Sequence, residues 1–326
     1  MKKALVCGAS GFIGRHLVKR LKKEGYWVRG VDIQKGLFPH NDIDEFLLLD
    51  LRDRKNCVDA LTLDSKDIFD EVYQLAADMG GAGFIFIGDN DFDIMHNSGL
   101  INLNIAGLFS MYKKIFFSSS ACVYPAHIQE DVEHVELKED RVYPAYPDSE
   151  YGWEKIFTER LLLSLYANKK REVRIARFHN IYGPEGVWTG GREKVPAAMC
   201  RKIAELPPEG GEIEVWGDGN QIRSFLFVDE CIEGVRRLMD SDCREPLNIG
   251  SSEKINLKDL AYSIAEIANK KITLRHIDGP IGVKSRNSDN NLIKEKLNWT
   301  PEYPLKKGIS ETYFWIENEI RNQTSN

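Results

Sequence analysis

The fold of this chain is decided near its start, where the sequence reads Ala4-Leu5-Val6-Cys7-Gly8-Ala9-Ser10-Gly11-Phe12-Ile13-Gly14. The first four residues predict a short buried strand, and the three glycines, Gly8, Gly11 and Gly14, predict a tight turn. Apolar residues then recur at helical spacing until Gly25 ends the pattern. This order predicts a dinucleotide site, because the turn lets backbone N–H groups approach a pyrophosphate at the helix N-terminus.

Asp32 lies about 20 residues beyond the turn, where such sites carry an acidic residue. Its carboxylate can accept hydrogen bonds from a ribose diol and would repel a 2′-phosphate, so the sequence favours NAD over NADP. Asp50 follows another predicted strand and could contact adenine, although a solvated loop residue is the plain alternative. The predicted cofactor-binding residues are Gly8, Gly11, Phe12, Ile13, Gly14, Asp32, Asp50, Leu51, Leu75, Tyr151 and Lys155.

Apolar runs alternate with helical patterns through the first half of the chain. The runs predict strands over 27–33, 45–49, 71–75, 114–118 and 173–178. The alternation predicts an α/β fold with a doubly wound parallel Rossmann sheet and right-handed crossovers. Beyond about residue 180, glycines and prolines break the chain into shorter elements. We expect an NAD-binding domain over 1–180, with sheet contributions from later segments, and a smaller α/β nucleotide-sugar-binding domain over 181–326.

Composition excludes several classes of function. The chain has 326 residues and a net charge of −6 without a long basic block, which argues against nucleic acid or an anionic membrane as a partner. No apolar run reaches the roughly 18 residues that span a bilayer. Glycines interrupt the N-terminal apolar run and a charged helical pattern follows, which argues against a signal peptide. The six cysteines lack CxxC spacing, so we expect reduced thiols, no metal site and a cytoplasmic location.

Tyr151 and Lys155 lie four residues apart and share one face of a predicted helix. A neighbouring ammonium would lower the tyrosine pKa and let the phenolate act as a base for a sugar hydroxyl. Ser120 can share the same proton and fix the orientation of the hydroxyl. Taken alone, such a pair is more often an exposed helical contact, so its meaning depends on the glycine turn and the serine run upstream.

With these motifs together, the chain resembles the extended short-chain dehydrogenase/reductase family over nearly its whole length. The glycine pattern, Ser120 and the Tyr151-x-x-x-Lys155 pair carry the resemblance, and segments 177–184 and 223–229 match two later signatures. The resemblance implies a nucleotide-sugar substrate, NAD as the cofactor and a homodimer.

Cys122 and Lys194 suggest which sugar chemistry is performed. Oxidation at C4 of a hexose acidifies the hydrogens at C3 and C5, which an acid and a base on opposite faces could then exchange. A thiol with a pKa near 8.5 and a lysine whose pKa is lowered by burial suit this task near neutral pH. The plain alternatives are a small buried residue for Cys122 and a surface charge for Lys194.

Within the larger family, the chain closely resembles the GDP-mannose 3,5-epimerases at segments 75–81, 119–122, 188–194, 216–219 and 286–290. The resemblance implies that Cys122 and Lys194 are the acid/base pair that converts GDP-mannose to GDP-L-galactose, with GDP-L-gulose as the product of a single inversion. It also implies that Lys202 and Arg286 lie near the diphosphate. The implied substrate-binding residues are Gly80, Ser120, Asn180, Glu193, Lys194, Lys202, Gln221, Arg223 and Arg286.

Two segments depart from that pattern: 86–91 is less polar, and the helix over 101–111 is expected to be shorter.

Other functions also stay open. A 4-epimerase acting on another nucleotide sugar, such as a modified GDP-hexose or a heptose, needs only Ser120, Tyr151 and Lys155. A 4,6-dehydratase usually has an Asp-Glu pair where Ala121 and Cys122 stand here. A catalytically silent nucleotide-binding module is the remaining alternative.

Overall fold

The computed structural model describes residues 1–36, 43–64, 67–130 and 137–324. Its strands are β1 (Lys3–Cys7), β2 (Trp27–Asp32), β3 (Glu45–Leu48), β4 (Phe69–Gln74), β5 (Tyr112–Ser120), β6 (Glu172–Phe178), β7 (Ile181–Tyr182), β8 (Gly210–Trp216), β9 (Ile222–Ser224), β10 (Leu226–Phe227), β11 (Leu247–Ile249), β12 (Lys254–Asn256), β13 (Lys271–Ile277) and β14 (Ser285–Arg286).

The helices follow the strands in the alternation that the sequence predicts. They are α1 (Phe12–Lys23), α2 (Arg54–Leu61), α3 (Ala82–Ile85), α4 (Asp91–Gly107), α5 (Glu150–Lys169), α6 (Val195–Ala204), α7 (Val228–Asp240), α8 (Leu257–Ala268), α9 (Asn291–Leu297) and α10 (Leu305–Thr324). Short 3-10 turns cover Phe109–Met111, Ala121–Val123, Ala126–Gln129 and Glu139–Val142.

Seven parallel strands form the central sheet in the order β11-β6-β5-β4-β1-β2-β3. The strand order reverses between β1 and β4, so the loops after these two strands diverge and leave a crevice at their carboxyl ends. This arrangement confirms the predicted α/β class and the doubly wound parallel sheet. The contribution of β11, which lies far along the chain, agrees with the expectation that later segments join the first sheet.

Two apolar layers enclose the central sheet. One packs α1 and α7 against its strands through Leu17, Leu21, Val235 and Leu238, and the other packs α2, α4 and α5 on the opposite face. The inner strands of a parallel sheet are covered on both faces, which explains why β1 is apolar at four consecutive positions, 4–7.

The second half of the chain has its own apolar cluster, built mainly from α6, α8 and α10. Three small sheets accompany it, with the strand orders β10-β7, β12-β9-β14 and β13-β8. The division at residue 180 stays a prediction. The predicted strands and helices lie within a few residues of the observed ones. Helix α4 ends at Gly107 before the 3-10 turn Phe109–Met111, and its shortening relative to the family stays a prediction.

The glycine turn offers a test of the packing. A Cβ at Gly14 would lie 2.1 Å from the carbonyl oxygen of Gly8, which is backbone and cannot move aside. Gly14→Ala should therefore lower the free energy of unfolding by about 1–3 kcal/mol, the usual cost of overpacking. Urea denaturation measures this change.

Gly107→Ala is the matched control, because its Cβ would meet the mobile end of the Arg54 side chain at 3.0 Å. Its effect should stay within about 0.5 kcal/mol, as for most surface changes. Equal effects of the two substitutions would contradict the close approach in the turn.

Candidate active site

The glycine turn after β1 has the shape of a dinucleotide cradle. Gly8 adopts φ +81, and a Cβ there would come within 3.0 Å of the backbone nitrogen of Ala76. The Gly11 N–H donates to the Gly8 carbonyl at 3.1 Å, and α1 begins directly afterwards with Phe12 and Ile13. The turn therefore presents close-packed backbone and the positive end of a helix, which fits a pyrophosphate.

Asp32 closes the other side of this cradle at the carboxyl end of β2. Its carboxylate accepts hydrogen bonds from the backbone N–H of Ser10 at 3.0 Å and of Gln34 at 3.2 Å. A carboxylate held in this position beside the turn fits a ribose diol.

Asp50 lies in the loop after β3 and forms an ion pair of 2.6 Å with Arg52. This guanidinium holds the pKa of the Asp50 carboxyl below its ordinary value. Leu51 is buried, and Leu75 is half-buried with its N–H donating to the Cys7 carbonyl at 3.1 Å. The contacts of Asp50, Leu51 and Leu75 with a cofactor stay predictions.

Tyr151, Lys155 and Ser120 converge where β5 ends and α5 begins. Ser120 is the last residue of β5, and Ser149 caps α5 by accepting a hydrogen bond from Gly152, which sets Tyr151 in the first helical turn. The Lys155 ammonium is buried 5.3 Å from the centre of the Tyr151 ring and 4.7 Å from the centre of the Phe117 ring. The predicted helical pair is thus an enclosed group and not an exposed surface contact.

The prediction that Lys155 lowers the pKa of Tyr151 is wrong for this structure. Burial raises the pKa of the Tyr151 phenol above its ordinary value, nearby charge on Cys122 and Glu154 raises it further, and a hydrogen bond with Ser120 opposes the rise. The physical reason is that Lys155 lies over the faces of two rings and 3.6 Å from Glu154 Oε2, which offsets part of its charge. Burial therefore favours the neutral form of the Tyr151 phenol in this structure.

Cys122 lies in the 3-10 turn that follows Ser120. The Ser120 hydroxyl caps this turn by accepting the Cys122 N–H at 3.1 Å. Helix α5 presses directly on the turn, because a Cβ at Gly152 would lie 2.3 Å from the Cys122 carbonyl oxygen. Cys122 and Tyr151 thereby pack in one apolar cluster, which brings the thiol beside the redox residues.

Arg286 contacts the Cys122 thiol directly. Its Nη1 lies 3.1 Å from Cys122 Sγ, its Nη2 donates to Asp148 Oδ2 at 2.5 Å, and its Nε donates to Gln129 Oε1 at 2.7 Å. Burial opposes the charge on Arg286, but Cys122 and Asp148 outweigh it and raise the pKa of the guanidinium. Sequence reasoning places Arg286 near a diphosphate and misses Gln129 and Asp148, which no spacing pattern connects to Cys122.

Lys194 immediately precedes α6, as its N-cap residue. Although part of the residue is exposed, its ammonium is enclosed enough that burial lowers its pKa, while charge on Cys122 and Cys231 opposes the shift. The expectation of a lysine with a lowered pKa is confirmed.

The loop that carries Lys194 interlocks with the loop after β4. Gly81 donates its N–H to the Arg192 carbonyl at 3.0 Å, and a Cβ at Gly81 would lie 2.2 Å from the Glu193 carbonyl oxygen. The contact brings Gly80 next to the 190–194 segment, and the role of Gly80 in substrate binding stays a prediction.

Other predicted substrate residues are distributed around this centre. Asn180 donates to the Ser224 carbonyl at 2.9 Å, Glu193 forms an ion pair of 3.2 Å with Arg201, and the Lys202 ammonium donates to the Glu214 carbonyl at 2.9 Å. Each of these three residues is therefore already held in place by a neighbour.

Gln221 and Arg223 flank Arg286 on the β9 side. Gln221 is buried, and its side-chain oxygen lacks a partner among the described residues. Arg223 pairs in register with Arg286 between β9 and β14. Burial, together with the like charge of Arg286, lowers the pKa of Arg223 to about 10. Two adjacent guanidinium groups and an open acceptor suit an anionic, polar ligand.

A cleft of about 450 Å³ opens beside Asp148 and is lined in part by Phe86, Tyr146, Trp153 and Val283. The divergent 86–91 stretch thus contributes Phe86 to the cleft wall. Within the described ranges, no group of three or more His, Cys, Asp or Glu side chains is arranged to hold a metal ion. No helix in the same ranges is both long and apolar enough to cross a membrane.

Comparison with known proteins identifies the family of this chain. The model of the NAD dependent epimerase/dehydratase family matches residues 4–250. GDP-mannose 3,5-epimerase of Arabidopsis thaliana is 47% identical over 325 residues, which cover 98% of this chain and 84% of that protein. GDP-mannose 3,5-epimerase 1 of Oryza sativa subsp. indica is 46% identical over 98% of this chain and 82% of its own length. These similarities confirm the resemblance drawn from the sequence motifs.

Solved structures share the fold. The UDP-glucose 4-epimerase of Thermotoga maritima, solved with UDP-glucose, superimposes with a TM-score of 0.84 at 23% identity, over 98% of this chain and 99% of that one. The UDP-glucose 4-epimerase of Thermus thermophilus, solved with NAD, gives a TM-score of 0.80 at 22% identity, over 96% and 98% of the two chains. At these identities the likeness establishes the architecture alone.

The lowered pKa of Lys194 predicts a stability cost that substitution removes. A buried ammonium is penalised in the folded state, so Lys194→Met should raise the free energy of unfolding at neutral pH. The advantage of the variant should shrink as the pH rises from the folded pKa towards 10.5, because the wild-type lysine then becomes neutral in the folded state first. Urea denaturation across this pH range measures both effects.

Lys169→Met serves as the control, because Lys169 is an exposed lysine in the last turn of α5. Its unfolding free energy should follow that of the wild type at every pH. A Lys194→Met protein that is less stable than the wild type at neutral pH would contradict the desolvation of this ammonium.

Proposed function

The chain belongs to the NAD-dependent epimerase/dehydratase family, and on this premise we propose that it converts GDP-mannose to GDP-L-galactose by epimerisation at C3 and C5, with GDP-L-gulose as the product of a single inversion. The observation that carries the proposal is the placement of Cys122 against Tyr151, with Lys194 coupled to it by charge. A cysteine and a lysine at this position are an acid/base pair that simple redox chemistry at C4 does not require.

NAD fits the cradle formed by Gly8, Gly11, Gly14 and Asp32, and when bound it supplies a hydride acceptor at C4 of the sugar and later the hydride donor. The turn and the N-terminus of α1 would hold the pyrophosphate, and Asp32 would hold the ribose diol. Lys155 is buried with its Nζ 5.3 Å from the centre of the Tyr151 ring.

Tyr151 and Ser120 handle the proton of the C4 hydroxyl. Burial raises the pKa of Tyr151, so its phenol is protonated at rest and must be brought to the phenolate by neighbouring charge before it acts as a base. The Ser120 hydrogen bond shifts Tyr151 in that direction. Ser120 also fixes the turn that carries Cys122, which couples the redox step to the exchange site.

Cys122 and Lys194 exchange the protons on carbon. The C4 ketone makes the C3 and C5 hydrogens acidic, and a group on one face removes a proton while the group on the other face returns one, which inverts the carbon. Lys194 suits the role of a proton acceptor because burial lowers its pKa. These two residues would have no task in a 4-epimerase, so that alternative is not favoured.

We assign the substrate's charged part to the basic side of the site. Arg223 and Arg286 stand side by side, and burial together with their mutual repulsion lowers the pKa of Arg223, which an anionic ligand would relieve. Gln221 adds a buried acceptor next to them. The predicted roles of Gly80, Asn180, Glu193 and Lys202 in sugar and diphosphate binding belong to the same proposal.

The predicted homodimer is supported by apolar side chains on two adjacent helices. Phe92 is 76% exposed on α4, and Met95 and Leu103 are also exposed there, while Trp153 and Phe157 are exposed on α5. Large exposed apolar surfaces of this kind mark interaction sites. The predicted cytoplasmic location is supported by the six cysteines, which lie in the described part of the chain and are free thiols.

The reaction is tested by incubating the protein with GDP-mannose and NAD in D₂O and recording NMR spectra of the nucleotide sugar. Deuterium should appear at C3 and C5, with new L-galactose signals. Cys122→Ala and Lys194→Ala should each bind NAD normally but slow the carbon exchange by at least about 100-fold, the usual contribution of one general acid or base.

Retention of the C3 and C5 hydrogens with inversion at C4 would favour a 4-epimerase instead. Bound NAD without turnover on GDP-mannose would turn the search to a modified GDP-hexose or a heptose, and bound NAD without turnover on any GDP- or UDP-hexose would favour the silent module.

The dimer is tested with the double substitution Phe92→Asp and Phe157→Asp. Two charges in a buried apolar interface should weaken association by at least about 2 kcal/mol, as for other central contacts. Light scattering after gel filtration should then show the dimer of the wild type dissociating into monomers. Tyr262→Asp, at an exposed aromatic residue on α8, is the control and should remain dimeric. A monomeric wild type would refute the assignment.

A further inference from the structure

Cys122 belongs to a buried cluster of four side chains, with Arg286, Asp148 and Gln129. Arg286 sends one nitrogen to each of three partners, Cys122, Asp148 and Gln129. Gln129 is fully buried, while the side chains of Arg286 and Asp148 are 8% and 9% exposed. With three anchors the guanidinium has a fixed orientation, so it meets the thiol in one geometry.

The charges of this cluster conflict with the work of Cys122. Arg286 places a guanidinium 3.1 Å from the Cys122 sulfur, and a positive charge beside a thiol in general favours the thiolate. A thiolate that is stabilised strongly is a weak base, so it removes a proton from carbon poorly although the resulting thiol returns one readily. In the proposed reaction an acid/base group must remove a proton and return one during the catalytic cycle. A negative charge is therefore needed to offset the positive charge of Arg286.

Asp148 is placed to provide that negative charge. We propose that Asp148 is a positioning residue that acts on Cys122 through Arg286: its carboxylate anchors the guanidinium and offsets its charge, so that the thiol can both take and return a proton. Gln129 anchors the third nitrogen without adding charge. This proposal deepens the proposed function and rests on it for the role of Cys122 as an acid/base group.

The other groups that face Cys122 leave Asp148 as the controlling charge. Tyr151 approaches from α5 and Lys194 from the segment before α6. Burial favours the neutral form of both groups, because it raises the pKa of Tyr151 and lowers the pKa of Lys194. Arg223 on β9 adds a second positive charge, and burial lowers the pKa of its guanidinium.

Helices α3 and α4 contribute the apolar side chains of Ile85 and Ile94 to the apolar cluster that contains Cys122. The charges that the proposal places next to the thiol are those of the two arginines and of the Asp148 carboxylate.

The test uses two nearly isosteric substitutions that change the negative charge next to Arg286 in opposite directions. Asp148→Asn keeps an acceptor but removes a negative charge, and Gln129→Glu adds one. The holoenzyme is treated with iodoacetamide over a range of pH, and alkylation of the peptide that contains Cys122 is followed by mass spectrometry.

The other five cysteines provide a reference in the same experiment, because burial raises the pKa of their thiols and they should react slowly; they are Cys7, Cys57, Cys200, Cys231 and Cys243. Circular dichroism and NAD binding check that each variant is folded.

The midpoint of Cys122 alkylation should fall by about one pH unit in Asp148→Asn and rise by about one unit in Gln129→Glu, the shift expected for gain or loss of one nearby charge. Glu130→Gln is the matched control: Glu130 is an exposed carboxylate paired with Lys284 at 3.3 Å, and its loss should leave the midpoint unchanged. If Gln129→Glu does not fold, Asp148→Asn decides alone. A midpoint that stays at the wild-type value in Asp148→Asn, or that moves upwards, overturns the proposal.

A second measurement separates this inference from the proposed function. In D₂O with GDP-mannose, Asp148→Asn should form epimerised product about tenfold more slowly, because one unit of thiol pKa is a factor of ten in the protonated fraction. Alkylation needs no sugar, so shifted midpoints with no exchange by the wild type on GDP-mannose would refute the proposed function and leave the Asp148 effect on the thiol standing. Normal exchange in the wild type, together with unshifted alkylation midpoints in the variants, would refute the role of Asp148 and leave the proposed function standing.

Discussion

A buried ion pair between Glu159 and Arg177 ties together the elements that carry the redox residues. Arg177 on β6 donates to both carboxylate oxygens of Glu159 on α5, at 2.8 and 3.0 Å, and Ser119 on β5 donates to the same carboxylate at 2.5 Å. Both charged side chains are almost fully enclosed. Removing one partner of such a pair typically costs about 3–5 kcal/mol, because the other charge remains buried. The position of α5 relative to β5 therefore depends on this contact.

The consequences reach the site through neighbouring residues. Ser119 precedes Ser120, and Glu159 lies one helical turn beyond Lys155, so fixing the pair fixes both redox residues. The same helix carries Gly152, whose close approach to the Cys122 carbonyl seats the 3-10 turn. A fully satisfied ion pair behind the site thus holds in place a set of groups that are individually unfavourable: a desolvated lysine, a buried neutral tyrosine and two adjacent arginines. Functional sites commonly store such cost where surrounding structure can support it.

Local patterns in the sequence predict much of this architecture. The apolar run before Gly8 predicts β1, the alternation predicts the parallel sheet, and the spacing of Tyr151 and Lys155 places both on one helical face. The lowered pKa of Lys194 is also anticipated. What the patterns do not supply is the environment of each group: the spacing suggests that Lys155 lowers the tyrosine pKa, whereas burial raises it.

The sequence by itself determined the elements and the chemical groups available, because periodicity and turn chemistry act over a few residues along the chain. Only the tertiary structure decided that Arg286 touches Cys122, Gln129 and Asp148, residues that stand 164, 157 and 138 positions away in the chain. It also decided the protonation preferences, since desolvation depends on everything that packs around a group and not on its neighbours in sequence. Local sequence patterns thus identify the reactive residues, while tertiary packing sets their charge states.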